Sequence, residues 1–149
     1  MTDVRDAIEH IVHGYAERID LGDFAGVADL FAKATYKGGG PDDPGVVGAE
    51  AVLGILEQMV RRYDDGTPRT KHVTTNLVID VDGDMATARS YYTVFQQLEG
   101  FALQPIIAGR YHDTFTWSGE WYLSERVIFC DLVGDLSKHL TVDPFADVS

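Results

Sequence analysis

The sequence predicts an α+β domain in which helices close one side of a curved, mainly antiparallel sheet and leave an enclosed apolar pocket. Three observations predict it. Stretches of helical periodicity come first, two long alternating hairpins follow, and the inward face of the first hairpin sets large side chains against small ones. Helices followed by strands do not fit alternating βαβ units. At 149 residues the chain has the length of a single domain, taken as 1–149.

From Val4 to Ile19 the apolar residues fall at Val4, Ala7, Ile8, Ile11, Val12, Tyr15 and Ile19. That is one stripe at helical spacing, and Thr2 or Asp3 can cap its start. Gly22 breaks the helix, and Asp23 can cap a second, short one carrying Phe24, Val27, Leu30 and Phe31. Residues 34–37 read as a brief strand entering the glycine- and proline-rich stretch 38–45. A third helix follows, with Ala49, Val52, Leu53, Leu56, Met59, Val60 and Tyr63 on one face. After the turn-rich segment 64–68, strands at 71–81 and 85–97 flank Asp82-Gly83, a strong hairpin signal. Strands at 104–117 and 121–132 flank Ser118-Gly119-Glu120. The segment 143–149 has few apolar anchors and is expected to fray.

Register adds detail. Pairing Val81 with Asp84 sets Ile79 opposite Ala86 and Leu77 opposite Ala88, and the same face continues through Ser90, Tyr92 and Val94. Pairing Trp117 with Trp121 puts Tyr111, Phe115 and Leu123 on one face. An interior punctuated by Tyr92 and Tyr111 suits an amphipathic ligand better than a dry core.

Charge narrows the partners. With 12 basic and 24 acidic residues the net charge is −12, which repels phosphate backbones and anionic lipid surfaces. Neither nucleic acid nor membrane is expected as a partner. No apolar run approaches the ~20 residues that span a bilayer, the opening MTDVRDAIEH has no basic leader before an apolar run, and the expected location is cytoplasmic. The single cysteine, Cys130, lies in an apolar run and reads as a small buried hydrophobe. No metal and no cofactor is expected, because there is no phosphate-binding glycine loop and no histidine or cysteine cluster with ligand spacing.

Of the histidines, His10 and His13 flank the buried stripe of the first helix and read as surface residues. His112 alternates away from Tyr111, and His139 reads as structural. His72 opens a strand just after a loop, where a side chain can face a cavity mouth. Simple alternation opposes this, because the inward residues Leu77, Ile79 and Val81 are odd-numbered; a one-residue bulge within Thr74-Thr75-Asn76 would return His72 to the inward face. Asp20 ends the first helix, at the negative end of its dipole, a place that stability alone does not favour for a carboxylate. An Asp bonded to one imidazole nitrogen makes the other a general base, so Asp20 and His72 are the candidate catalytic pair.

Tyr15 and Ile19-Asp20, then Lys71-His72-Val73-Thr74-Thr75-Asn76, Ala108-Gly109-Arg110-Tyr111 and Gly119-Glu120-Trp121-Tyr122-Leu123-Ser124-Glu125-Arg126 stand in an order that resembles the SnoaL-like branch of the NTF2-like (cystatin-like cone) superfamily, over about residues 4–140. The resemblance implies three N-terminal helices on a cone-shaped sheet. Two members, scytalone dehydratase and the lindane dehydrochlorinase, are similar in placing an Asp–His dyad at the positions of Asp20 and His72. The dehydrochlorinase pattern also has an arginine five residues after the hairpin tryptophan, as Arg126 follows Trp121. Tyr15 stands where that enzyme has a lysine, which argues against halide departure, and Tyr92 stands near where the second histidine of scytalone dehydratase would fall.

The combined expectation is a cofactor-independent, dehydratase-like lyase or isomerase. Asp20 and His72 do the proton transfer, and Tyr15, Tyr92, Tyr111 and Arg126 contact a small apolar, aromatic or polycyclic substrate. The alternative is a non-catalytic ligand-binding or assembly subunit on the same cone. Related cones associate through the outer sheet face, so a homo-oligomer, dimer or trimer, is expected.

Overall fold

The computed structural model describes residues 3–145. Helix α1 (Val4–Asp20) starts where expected: the Asp3 side chain accepts the Arg5 N–H at 2.7 Å. The other candidate cap, Thr2, lies outside the described residues, as does 146–149 of the segment expected to fray. Helix α2 (Phe24–Asp29) is capped by Asp23, whose carboxylate accepts the Gly26 N–H at 2.9 Å. Strands β1 (Thr35–Lys37) and β2 (Val46–Val47) lead into α3 (Ala49–Met59), and β3 (Thr70–Asp82), β4 (Met85–Leu98), β5 (Phe101–Trp117) and β6 (Trp121–Val133) complete the order. Among the described residues no helix is long and apolar enough to cross a membrane.

The six strands form one sheet in the order β2-β1-β6-β5-β4-β3, antiparallel except for β1 beside β6. The four long strands are a meander, because Glu99-Gly100 joins β4 to β5 as a further tight turn that the sequence reading left unassigned. The first hairpin is shifted by two residues from expectation: Val81 pairs with Ala86 and Ile79 with Ala88, with the turn at Gly83-Asp84. A two-residue shift preserves the faces, so Ile79, Ala86 and Ala88 are buried as expected, while Val81, at the hairpin end of that face, is 44% exposed because the helices do not reach it. Trp117 does pair with Trp121. Helix α3 stops at Met59 rather than at Tyr63, because Val60 turns extended and bridges Leu140.

The helices lie on the concave side. Ile8, Val12, Tyr15 and Ile19 of α1, Phe24 and Val27 of α2, Phe31, and Val52 and Leu56 of α3 pack with Ile79, Ala86, Ala88, Val94, Phe115 and Leu123 of the sheet. Small Ala86 and Ala88 admit the helices where larger side chains would hold them off. The expected burial of Cys130 is not seen: it is exposed, across from Gly109 on β5.

Two irregularities reset the inward faces. The β3–β4 register shifts between Thr75 and Val78, with Asn76 at φ 55°. Thr70, His72 and Thr74 are thereby turned inward on one side of the break, and Leu77 and Ile79 on the other. In β5–β6 the register shifts between Thr114 and Phe115, which brings both Leu123 and Arg126 to the interior. Asn tolerates the left-handed region that a β-branched residue resists. Asn76→Val should therefore destabilise the protein by ~1–2 kcal/mol in urea unfolding, while Asn76→Gly stays close to wild type. Equal stability of the two variants would mean the bulge is not set by this residue.

Candidate active site

Asp20 closes α1 against the start of β3. Gly22, at φ 76°, makes the approach possible, since a Cβ there would sit 1.9 Å from the Gly66 carbonyl oxygen. The Asp20 carboxylate then collects three donors. Oδ1 accepts from Thr70 Oγ1 at 2.9 Å and from His72 Nδ1 at 2.6 Å, and Oδ2 accepts the His72 backbone N–H at 2.7 Å. Both side chains are well shielded, His72 at 6% exposure and Asp20 at 9%. Burial works against ionisation of Asp20 and is the largest single influence. The hydrogen bonds and charge of His72, with Thr70, outweigh it and hold the carboxyl below its usual range. With Nδ1 donating to the carboxylate, the lone pair of the neutral ring lies on Nε2.

The Asp20–His72 pair lines a cleft of about 380 Å³ between α1 and β3, along with Ala16, Leu21, Lys71 and Thr74. Glu17 and His13 also contribute to its walls, so the space beside the dyad is an open cleft of mixed polarity, where an enclosed apolar pocket was expected. His10 and His13 are exposed on α1 and His112 is exposed on β5, all as the spacing indicated.

Behind the dyad the concave face is filled by aromatic rings around one cation. Arg126 is 2% exposed; its Nε and Nη2 donate to Asp113 Oδ1 and Oδ2 at 2.8 and 2.9 Å. Its guanidinium carbon lies 3.8 Å from the Tyr111 ring centroid and 4.4 Å from that of Tyr15. Burial opposes the charge, but Asp113 more than compensates and holds the Arg126 pKa above its ordinary value. Nη1 is buried with no hydrogen-bond partner among the described residues. The Tyr15 hydroxyl has its pKa raised, by burial first and against the opposing pull of Arg126, so it remains a proton donor. Its ring meets those of His72 and Tyr111 edge-on, at 6.5 and 5.9 Å.

Tyr92 stacks on Tyr111 at 4.5 Å, and its hydroxyl donates to the Phe129 carbonyl oxygen at 2.9 Å. Gly109 permits this contact, because a Cβ there would collide with both the Phe129 carbonyl and the Tyr92 hydroxyl. Tyr92 is therefore packed within the core, with its hydroxyl already engaged. Thus Asp20, His72, Tyr15, Tyr111 and Arg126 converge, and Tyr92 backs them.

Two members of this cluster escaped the sequence reading. Asp113 lies directly across from Arg126 on β5, a pairing visible only once the bulge is placed in the register. His139 is 6% exposed, its ring is 6.2 Å from that of His72, and its Nδ1 has no partner among the described residues. Among the described residues no three His, Cys, Asp or Glu side chains gather as a metal site.

Removing one partner of a buried ion pair leaves the other uncompensated. Asp113→Leu and Arg126→Met should each cost ~3–5 kcal/mol in urea unfolding, and the double variant Asp113→Leu/Arg126→Met should recover much of that loss. Simple additivity would contradict the coupling. His139 gives a pH signature: burial, then His72, lower its pKa to about 3, against a weaker opposing effect of Asp20. Unfolded chains bind the proton at the ordinary histidine pKa of ~6.5, so stability should fall as pH drops from there toward 3. Unfolding of His139→Leu should lack that part of the slope; an unchanged slope would place its origin elsewhere.

The SnoaL-like domain family matches residues 1–127 of this chain. A protein of unknown function from Mycobacterium tuberculosis is 26% identical, with TM-score 0.69 over 96% of this chain and 79% of that one. A candidate scytalone dehydratase from Novosphingobium aromaticivorans is 22% identical, with TM-score 0.66 over 88% and 86% of the two chains. An NTF2-like protein with a cystatin-like fold from the same organism is 20% identical, with TM-score 0.67 over 82% and 78%. No curated protein matches the sequence.

Proposed function

The chain belongs to the SnoaL-like family, and from that premise we propose that it is a cofactor-independent lyase or isomerase in which Asp20 acts as an orienting carboxylate and His72 as a general base. The observation that carries the reading is the 2.6 Å contact between Asp20 Oδ1 and His72 Nδ1 at the wall of a cleft. A salt bridge serving stability alone would not need an imidazole with its second nitrogen free. The likeness to a candidate scytalone dehydratase supports the same class of chemistry.

In the proposed reaction His72 Nε2 takes a proton from the carbon next to a carbonyl. The C–H electron pair moves into the new C–C double bond and the carbonyl pair onto oxygen. In this reading Tyr15 and Arg126, whose guanidinium lies 4.4 Å from the Tyr15 ring and whose Nη1 has no partner among the described residues, would donate to that developing oxyanion. The enolate then either regains a proton at another carbon, as in an isomerase, or expels a substituent from the β-carbon, as in a lyase. In a dehydration the imidazolium returns its proton to the departing hydroxyl, which leaves as water. Asp20 balances the imidazolium charge while it exists. The substrate in this reading is a small molecule with a largely apolar, cyclic or aromatic body, in keeping with the packed rings of Tyr15, Tyr92 and Tyr111 behind the dyad.

The test is deuterium exchange at the acidic carbon of 2-tetralone in heavy water, followed by NMR. Wild type should exchange the probe, and His72→Ala should lose ~10²–10⁴ of the enhancement, the usual worth of a general base. Asp20→Asn should retain part of the activity, because the imidazole remains but loses its charged partner. Tyr15→Phe should lower the exchange rate more than the binding of the probe, because only the hydroxyl disappears. Exchange at the same rate in wild type and His72→Ala would remove His72 as the base. Tight binding of several aromatic ligands with no exchange would favour the ligand-binding alternative.

A further inference from the structure

His139 has no part in the chemistry just described, yet the chain goes to some length to hold it in place. Residues 134–141 leave β6 and run as a strap back to the end of α3 and the start of β3. Gln96, 1% exposed, donates to the Lys138 carbonyl at 3.0 Å, and the Tyr63 hydroxyl donates to the same oxygen. The Arg61 N–H bonds the His139 carbonyl at 2.8 Å, and the Thr141 N–H bonds that of Met59 at 2.8 Å. Leu136 anchors the near end in the core. With bonds on both sides of it, the His139 side chain is fixed at a ring-to-ring distance of 6.2 Å from His72.

Buried side-chain nitrogens are hydrogen-bonded in the large majority of cases. Here Nδ1 is buried and bonded to nothing among the described residues, an arrangement that costs ~1–3 kcal/mol relative to a satisfied group. A leucine would fill the space without that penalty. Burial also keeps the ring neutral at neutral pH, so it can give one hydrogen bond and accept another without adding a second positive charge beside His72. An orphaned neutral imidazole beside a base suits a polar atom of the ligand.

We propose that His139 is a substrate-contacting residue of this site: its imidazole hydrogen-bonds an oxygen of the ligand close to the carbon that His72 deprotonates, so that the site selects hydroxy- or keto-substituted ring compounds over plain hydrocarbons. The role of His72 in this statement rests on the function proposed above, whereas the contact itself rests on the placement of His139.

Binding of 2-naphthol and naphthalene to the full chain tests the contact without any turnover. Wild type should prefer 2-naphthol, and His139→Leu should lower that preference roughly 3- to 10-fold, the worth of one neutral hydrogen bond, while naphthalene affinity stays nearly constant. His139→Gln, which retains a donor and an acceptor, should recover part of the preference. His139→Leu should also melt at or above the wild-type temperature at pH 7. In wild type, the ring ¹⁵N resonances of His139 should move on addition of 2-naphthol and not of naphthalene, a measurement that needs no variant to fold. An undiminished preference in His139→Leu, no preference in wild type, or ¹⁵N resonances indifferent to 2-naphthol would each overturn the inference. Loss of 2-tetralone exchange with the binding preference intact would overturn the proposed reaction and leave this contact standing.

Discussion

The joint between the end of α1 and the start of β3 is one carboxylate. Asp20 receives the Thr70 hydroxyl, the His72 backbone N–H and the His72 ring in a single cluster, so one side chain ties helix to sheet and also orients the imidazole. Its position explains why a carboxylate is tolerated at the unfavourable end of a helix dipole: three donors from the strand replace the water it gives up. Because a backbone N–H of β3 is among them, the strand cannot slide without breaking the joint. Helix orientation, strand register and dyad geometry are therefore one constraint.

The second organising element is a charge where a core would ordinarily be apolar. Arg126 and Asp113 bond each other bidentately, and the rings of Tyr15 and Tyr111 flank the guanidinium. Replacing such a pair with hydrocarbon is often no worse for stability, so its presence points to another use. The remaining donor, Nη1, has no partner among the described residues, and the tyrosine hydroxyls nearby are held protonated by burial. The interior therefore keeps both donors and acceptors unpaired among the described residues, Arg126 Nη1 on the one hand and the oxygens of Thr74, Ser90 and Gln96 on the other.

The C-terminal strap brings His139 to within 6.2 Å, ring to ring, of His72. It is short, but its hydrogen bonds reach Gln58, Met59, Arg61, Tyr63 and Gln96, so it belongs to the body of the fold. The early end of α3 is part of the same arrangement: Val60 leaves the helix to bridge Leu140, and the last turn that periodicity suggested is given up for that contact. Local helical preference was overruled here by pairing with a segment about eighty residues away, which no local pattern reveals.

Element type and order were legible in the sequence because they depend on local periodicity: the stripe of α1, the caps at Asp3 and Asp23, and the alternation of the long strands. The need for a bulge before Leu77 was legible too, since His72 and Ile79 could not both face inward on a regular strand. The two-residue offset of the first hairpin was not, because it leaves every side chain on the same face and so changes no pattern. Asp113 was missed although its parity marked it as inward, because its partner becomes clear only when the β6 bulge moves Arg126 directly opposite it. Cys130 was misjudged because an apolar neighbourhood in sequence says nothing about how far the helices reach over the sheet. The sequence by itself determined the elements, their order and the Asp20–His72 candidates, since these follow from short-range spacing and residue chemistry. Only the tertiary structure decided the openness of the cleft, the Arg126–Asp113 pairing and the arrival of His139 beside His72, because each depends on contacts between segments far apart in the chain.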